Sequence, residues 1–175
     1  MKDVWKKFEE TELTHSSIHH LLALNDRFKE YGYARAVDIA GSLNISRASV
    51  SMTLNKLKDK GFIKEDPNRF LLLTEKGMNI VNSVQSKRRI IEQFFRQVLE
   101  LSPEEAEVNA CKTEHLISET AGKKLLSFVG YFLSNEQTAA KFREGLHKFR
   151  YLCADNESCI VCEQECYYKG QDVHV

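Results

Sequence analysis

Four cysteines near the C-terminus, Cys153, Cys159, Cys162 and Cys166, follow the spacing C-x5-C-x2-C-x3-C. Each thiol becomes a strong, soft donor once deprotonated, and four so close together can wrap one tetrahedral ion or one cluster. Structural zinc usually takes paired Cys-x-x-Cys knuckles, whereas iron–sulfur clusters accept compact runs that mix two- and three-residue gaps. The spacing therefore points to metal, with an Fe–S cluster as the leading reading and a structural Zn2+ as the alternative. The N-terminal "MKDVWKKFEETELTH" is too charged for a signal peptide, and no stretch nears the ~20 apolar residues of a membrane span. A cytoplasmic location with no membrane partner is expected. There clustered cysteines more often bind metal or cycle redox states than form disulfides, which ranks a staple below either metal.

A second group of residues has the chemistry to meet a polyanion. The 175 residues sum to zero charge, yet residues 27–89 hold 13 Lys and Arg against 6 Asp and Glu. Within that segment Ser46, Arg47, Ala48, Ser49 and Ser51 are followed one turn later by Met52 and Asn55. Small hydroxyl residues let a helix sit close to a duplex, and Arg47 can reach a phosphate or a guanine edge. Lys64, Asn68 and Arg69 would lie over the backbone or minor groove, and Arg35 could grip a phosphate.

The elements that must position these residues are legible in the periodicity. Residues 16–31 open on a capping serine, place Ile18, Leu21, Leu22, Leu24 and Phe28 largely on one face, and end at Gly32. Residues 36–43 form a short helix with Val37, Ile39, Ala40 and Leu43, followed by a tight turn "NIS". Ser46 caps the next helix, which turns Val50, Leu54 and Leu57 inward and stops at Gly61. "FIKEDPNRFLLLT" then reads as two short strands around Asp66-Pro67-Asn68. Helical runs are predicted over 74–101, capped by Thr74, over 102–132 from Ser102-Pro103, and over 135–152. The fold class is mainly α. A winged helix-turn-helix DNA-binding domain (1–75) precedes a helical dimerisation and metal-binding domain (76–150) and a cysteine-rich tail (151–175). In a helix-turn-helix the second helix enters the major groove and its first residues meet base edges, the role that falls to 46–55.

The phrases "GYARAVDIAGSLNISRASVSMTLNKLKDKGFI", "LLLTEKG", "RRIIEQFF" and "CKTEHLIS" stand in the order and spacing of the iron-dependent repressor family, which includes the diphtheria toxin repressor and the manganese transport regulator. The chain resembles that family from about residue 16 to 132. The resemblance implies a homodimeric transcriptional regulator that binds a palindromic operator when divalent Fe2+ or Mn2+ is present. It also implies an effector site at His19, Cys111, Glu114 and His115, the last three at i, i+3 and i+4 of one helix. Glu92 and Glu107 fall where ancillary ligands are found, but Arg88 stands in place of a histidine ligand, and a pairing with Glu92 would make it a fixed substitute charge. The SH3-like third domain of longer members is not expected within 175 residues, and the tail cysteines lie outside the resemblance.

The reading is therefore a metal-responsive transcriptional regulator, a repressor rather than an enzyme, with the tail cluster as a second sensory input. A redox or electron-transfer protein is the rival from another class, though no nucleotide loop, catalytic triad or second cofactor motif accompanies the cysteines. A zinc-stabilised interaction module is the other rival.

Overall fold

The structure is a computed structural model and describes residues 13–149. These divide into two compact units, and the division falls between Lys87 and Arg88.

The first unit begins with α1 (His15–Tyr31). Its cap is Thr14, two residues before the serine that the sequence suggested, because the extended backbone there (ψ 159) aims the side chain at the Ser17 N–H, 3.2 Å away. Gly32, at φ 77, ends it in the left-handed conformation that glycine adopts without steric cost. Ile18, Leu21, Leu22 and Leu24 are buried as their spacing predicted. Phe28 is 43% exposed, since the last turn of α1 is solvated.

Helix α2 (Ala36–Leu43) buries Ile39 and Ala40 but leaves Val37 exposed, and Asn44 closes it in the left-handed region. Ser46 caps α3 (Arg47–Asp59) by accepting the Ser49 N–H at 3.2 Å, and Val50, Leu54 and Leu57 all reach the core. Each such burial contributes roughly 1.5–3 kcal/mol. Gly61 (φ 74) then turns the chain into a two-stranded antiparallel wing, β1 (Ile63–Glu65) and β2 (Leu71–Leu73), with Lys64 opposite Leu72.

Helix α4 (Glu75–Gln93) starts on Thr74, whose side-chain oxygen accepts the Gly77 N–H at 3.1 Å while its hydroxyl donates to the Gly61 carbonyl at 2.7 Å. Phe62, fully buried, sits beneath this turn, and its carbonyl accepts the Thr74 N–H at 3.0 Å. A Cβ added to Gly77 would meet that carbonyl oxygen at 2.1 Å, so the "LLLTEKG" phrase ends in glycine because backbone passes where a side chain would stand. Val81 and Val84 complete the core of the first unit.

In the second unit the predicted helix 74–101 is interrupted. It leaves α geometry after Gln93, passes through a π-helical turn (Phe94–Val98), and stops where Glu100 takes a positive φ of 55. The predicted run 102–132 is two helices, α5 (Pro103–Thr113) and α6 (Glu119–Leu133). The Thr113 hydroxyl donates to the Asn109 carbonyl at 2.7 Å in the last turn of α5, and Ser118 caps α6 by accepting the Ala121 N–H at 3.1 Å. Periodicity alone missed that second start. Helix α7 (Gln137–Lys148) packs on α6 through Phe128, Phe132 and Phe142, whose ring centroids lie 6.2–6.4 Å apart. The Arg143 guanidinium donates to the Phe132 carbonyl and, at 3.1 Å, to that of Ser134, satisfying groups the end of α6 leaves open. No described helix is long and apolar enough to cross a membrane.

Candidate functional site

The amphipathic character of α3 settles which of its residues are available. With Val50, Leu54 and Leu57 in the core, Ser46, Arg47, Ala48, Ser51 and Asn55 are exposed on the opposite side, and Met52 is 64% exposed. Ser49 is half-buried, so its hydroxyl is less available than those of its neighbours.

An open cleft runs beside this face, lined by Arg35, Ser51, Asn55, Lys58, Glu65 and Arg69 among others. Arg35 precedes α2, where the Asp38 carboxylate accepts its backbone N–H at 3.0 Å. Its guanidinium stacks 4.7 Å from the Phe70 ring centroid and 5.9 Å from that of Tyr33, which restrains the side chain while leaving its donors open. The wing loop is built by Asp66, whose carboxylate accepts the N–H groups of Asn68 (2.9 Å) and Phe70 (2.8 Å), with Arg69 held at φ 63. Asn68 and Arg69 are exposed at this tip, and Lys64 is exposed within β1. Lys58 pairs with Glu65 at 2.7 Å, joining α3 to the wing. Sequence reasoning passed over Lys58, although it follows Asn55 at i+3 on the same helix.

The candidate metal ligands are distributed over both units. On α1 the rings of His15 and His19 meet edge to face, 4.3 Å between centroids, with their Nε2 atoms 3.0 Å apart. His15 was missed, yet its i−4 spacing from His19 was the available signal. His20 is buried and donates from Nδ1 to the Ser16 carbonyl at 2.7 Å, the behaviour of a core histidine.

In the second unit Cys111 and His115 are half-buried and Glu114 is wholly buried. They do not all lie within one helix: α5 ends at Thr113, and Glu114 is its C-cap, keeping helical dihedrals and a 2.8 Å bond from its N–H to the Ala110 carbonyl. Burial, then the Glu114 carboxylate, push the Cys111 thiol up, with Arg88 opposing and Glu107 adding to the rise. That field is one a cation would relieve, and thiolate, imidazole and carboxylate together suit divalent iron, cobalt or zinc, so the donor set fits a transition-metal ion.

Arg88 does not pair with Glu92, as its i+4 spacing suggested. Its Nη2 lies 3.3 Å from Glu107 and its Nε 3.7 Å from Glu114, while Glu92 pairs with Arg96 at 3.6 Å. Glu92 is half-buried and held by Arg96, so the Arg88 guanidinium turns instead to the two acids of α5 and its C-cap, and its pairing with the wholly buried Glu114 is the one that water screens least. Cys153, Cys159, Cys162 and Cys166 lie outside the described residues.

A winged helix-turn-helix followed by an all-helical unit defines the class. Residues 74–142 match the family model for the iron dependent repressor, metal binding and dimerisation domain. The chain is 34% identical over 105 residues to the transcriptional regulator MntR of Salmonella typhimurium, covering 60% of this chain and 66% of the relative. It is 30% identical over 115 residues to the iron-dependent repressor IdeR of Mycobacterium tuberculosis, covering 66% of this chain and 50% of the relative. The structure of the manganese regulator SloR superposes with a TM-score of 0.61 at 25% identity, over 68% of this chain and 55% of that one. The protein SSo2273 of Sulfolobus solfataricus shares the fold at a TM-score of 0.58 and 24% identity, over 67% and 90% of the two chains. The protein belongs to the iron-dependent repressor family. It matches half to two thirds of the length of these curated relatives.

Proposed function

We propose that the protein is a metal-responsive transcriptional repressor that binds a palindromic operator as a homodimer. The observation that carries the reading is the solvent-facing start of α3, with Arg47, Ser51 and Asn55 exposed beside a cleft edged by Arg35, Lys58 and Arg69. The names of the relatives, a transcriptional regulator and an iron-dependent repressor, support it. Arg47 would read or anchor in the major groove, and Arg35, Lys64, Asn68 and Arg69 would fix the register on phosphates. Exposed apolar side chains on α6 and α7, Leu126, Leu133 and Leu146 among them, support a dimer, and a two-fold dimer requires a two-fold operator.

His19 with Cys111, Glu114 and His115 would hold the effector ion, Fe2+ or Mn2+. Once bound, the ion supplies a fixed positive charge that stabilises the operator-competent form. Electrophoretic mobility shifts with a selected palindromic duplex test the reading. Added divalent metal should tighten binding, and Arg47→Ala should weaken it by about tenfold, within the 1–3 kcal/mol that a bidentate base contact is worth. Equal affinity for random DNA would overturn the proposal.

The tail cysteines supply a second input in this reading, as an Fe–S cluster whose loss reports iron shortage or oxidants. The specific support is the C-x5-C-x2-C-x3-C spacing. Protein prepared without oxygen should be brown, with iron and acid-labile sulfide in stoichiometric amounts. Colourless protein with one tightly held zinc per chain would assign the tail to a structural site instead.

A further inference from the structure

Arg88 bridges two carboxylates that differ in their surroundings. The Glu107 side chain is 67% exposed, whereas that of Glu114 is 0% exposed. An ionised carboxylate cut off from water requires a countercharge, and a guanidinium, protonated at any physiological pH, provides one that never dissociates. Glu114 is also the carboxylate donor of the effector site proposed above. One buried carboxylate therefore stands between a cation tethered to α4 and a cation that arrives from solution.

We propose that Arg88 is a resident cation of the effector centre: held against both Glu107 and the buried Glu114, it competes with the incoming divalent ion for that carboxylate, and so sets the metal concentration at which the protein responds. This deepens the regulator reading and rests on it. A positive charge a few ångströms from a divalent ion weakens its binding, while the exposed Glu107 draws part of that charge away from Glu114. Both acids at the ancillary positions are also engaged, Glu107 by the Arg88 guanidinium and Glu92 by Arg96. The centre accordingly takes a single ion per chain.

Titration of the full-length protein with Mn2+, following the free ion by its electron paramagnetic resonance signal, tests this. Mn2+ prefers oxygen and nitrogen donors, which keeps the tail thiolates out of the count. Wild type should bind about one Mn2+ per chain, Arg88→Gln should bind it about tenfold more tightly or better, and Arg88→Lys should stay within about threefold of wild type. Glu107→Gln should bind several-fold more weakly, because it both removes a negative charge and leaves Arg88 wholly to Glu114. Arg88→Gln binding no more tightly than wild type, or two ions per wild-type chain, overturns the inference. If Arg88→Gln does not fold, Glu107→Gln binding as tightly as wild type overturns it equally. Glu114→Gln separates the two levels: if it leaves Mn2+ binding intact, the effector site itself is misassigned. If it abolishes binding while Arg88→Gln changes nothing, only the resident cation falls.

Discussion

His19 and His20 are adjacent in sequence and have opposite surroundings, because consecutive helical positions are turned by about 100°. His19 faces His15, while His20 points into the first unit and spends its Nδ1 proton on the carbonyl one turn back. The doublet alone gave no means of assigning the two roles; burial does. His20→Ala should lower the stability of the first unit by roughly 1–3 kcal/mol, from lost packing and a lost hydrogen bond, while leaving metal stoichiometry unchanged. Chemical denaturation alongside metal analysis checks this, and a changed stoichiometry would bring His20 into the effector centre. Arg88 teaches a related lesson. Its identity was plain in the sequence, but helical spacing offered Glu92 as its partner, and the buried acid contributed by the end of α5 could not be inferred from any local pattern.

At the scale of elements, periodicity and capping chemistry located α2, α3, the wing and the start of α4 to within a residue or two, since Ser46, Gly61 and Thr74 act through local backbone geometry. Where it failed, the cause was again local competition. Thr14 took the cap from Ser16, the π-helical turn ended α4 early, and Ser118 restarted a helix inside a run that reads as continuous. Gly77 presents the opposite case, in which the reason for the residue is tertiary. Gly77→Ala places a methyl group on the Phe62 carbonyl and should cost at least 1–3 kcal/mol, with the wing root or the first turn of α4 displaced. Thermal unfolding of the variant measures it, and a neutral substitution would mean that this junction yields easily.

At the scale of the whole molecule, the charge is arranged by segment. The surplus of basic residues over 27–89 coincides with the elements that present Arg35, Arg47, Lys64 and Arg69 to solvent, so operator affinity should fall steeply with salt. The second unit carries a different signal. Leu126, Leu133 and Leu146 remain exposed, and apolar surface of this kind commonly marks an interface. Leu126→Glu should shift the protein from dimer to monomer in sedimentation velocity and weaken operator binding with it. A dimer that persists unchanged would place the interface elsewhere.

The contact between Gly77 and the Phe62 carbonyl also has a mechanical meaning. Thr74 is bonded to Gly61 and Phe62, Gly77 rests against the same peptide, and Val81 and Val84 are anchored in the core beneath. The first turns of α4 and the root of the wing therefore share one set of hydrogen bonds and one close backbone contact, so neither can be rebuilt by substitution without the other adjusting.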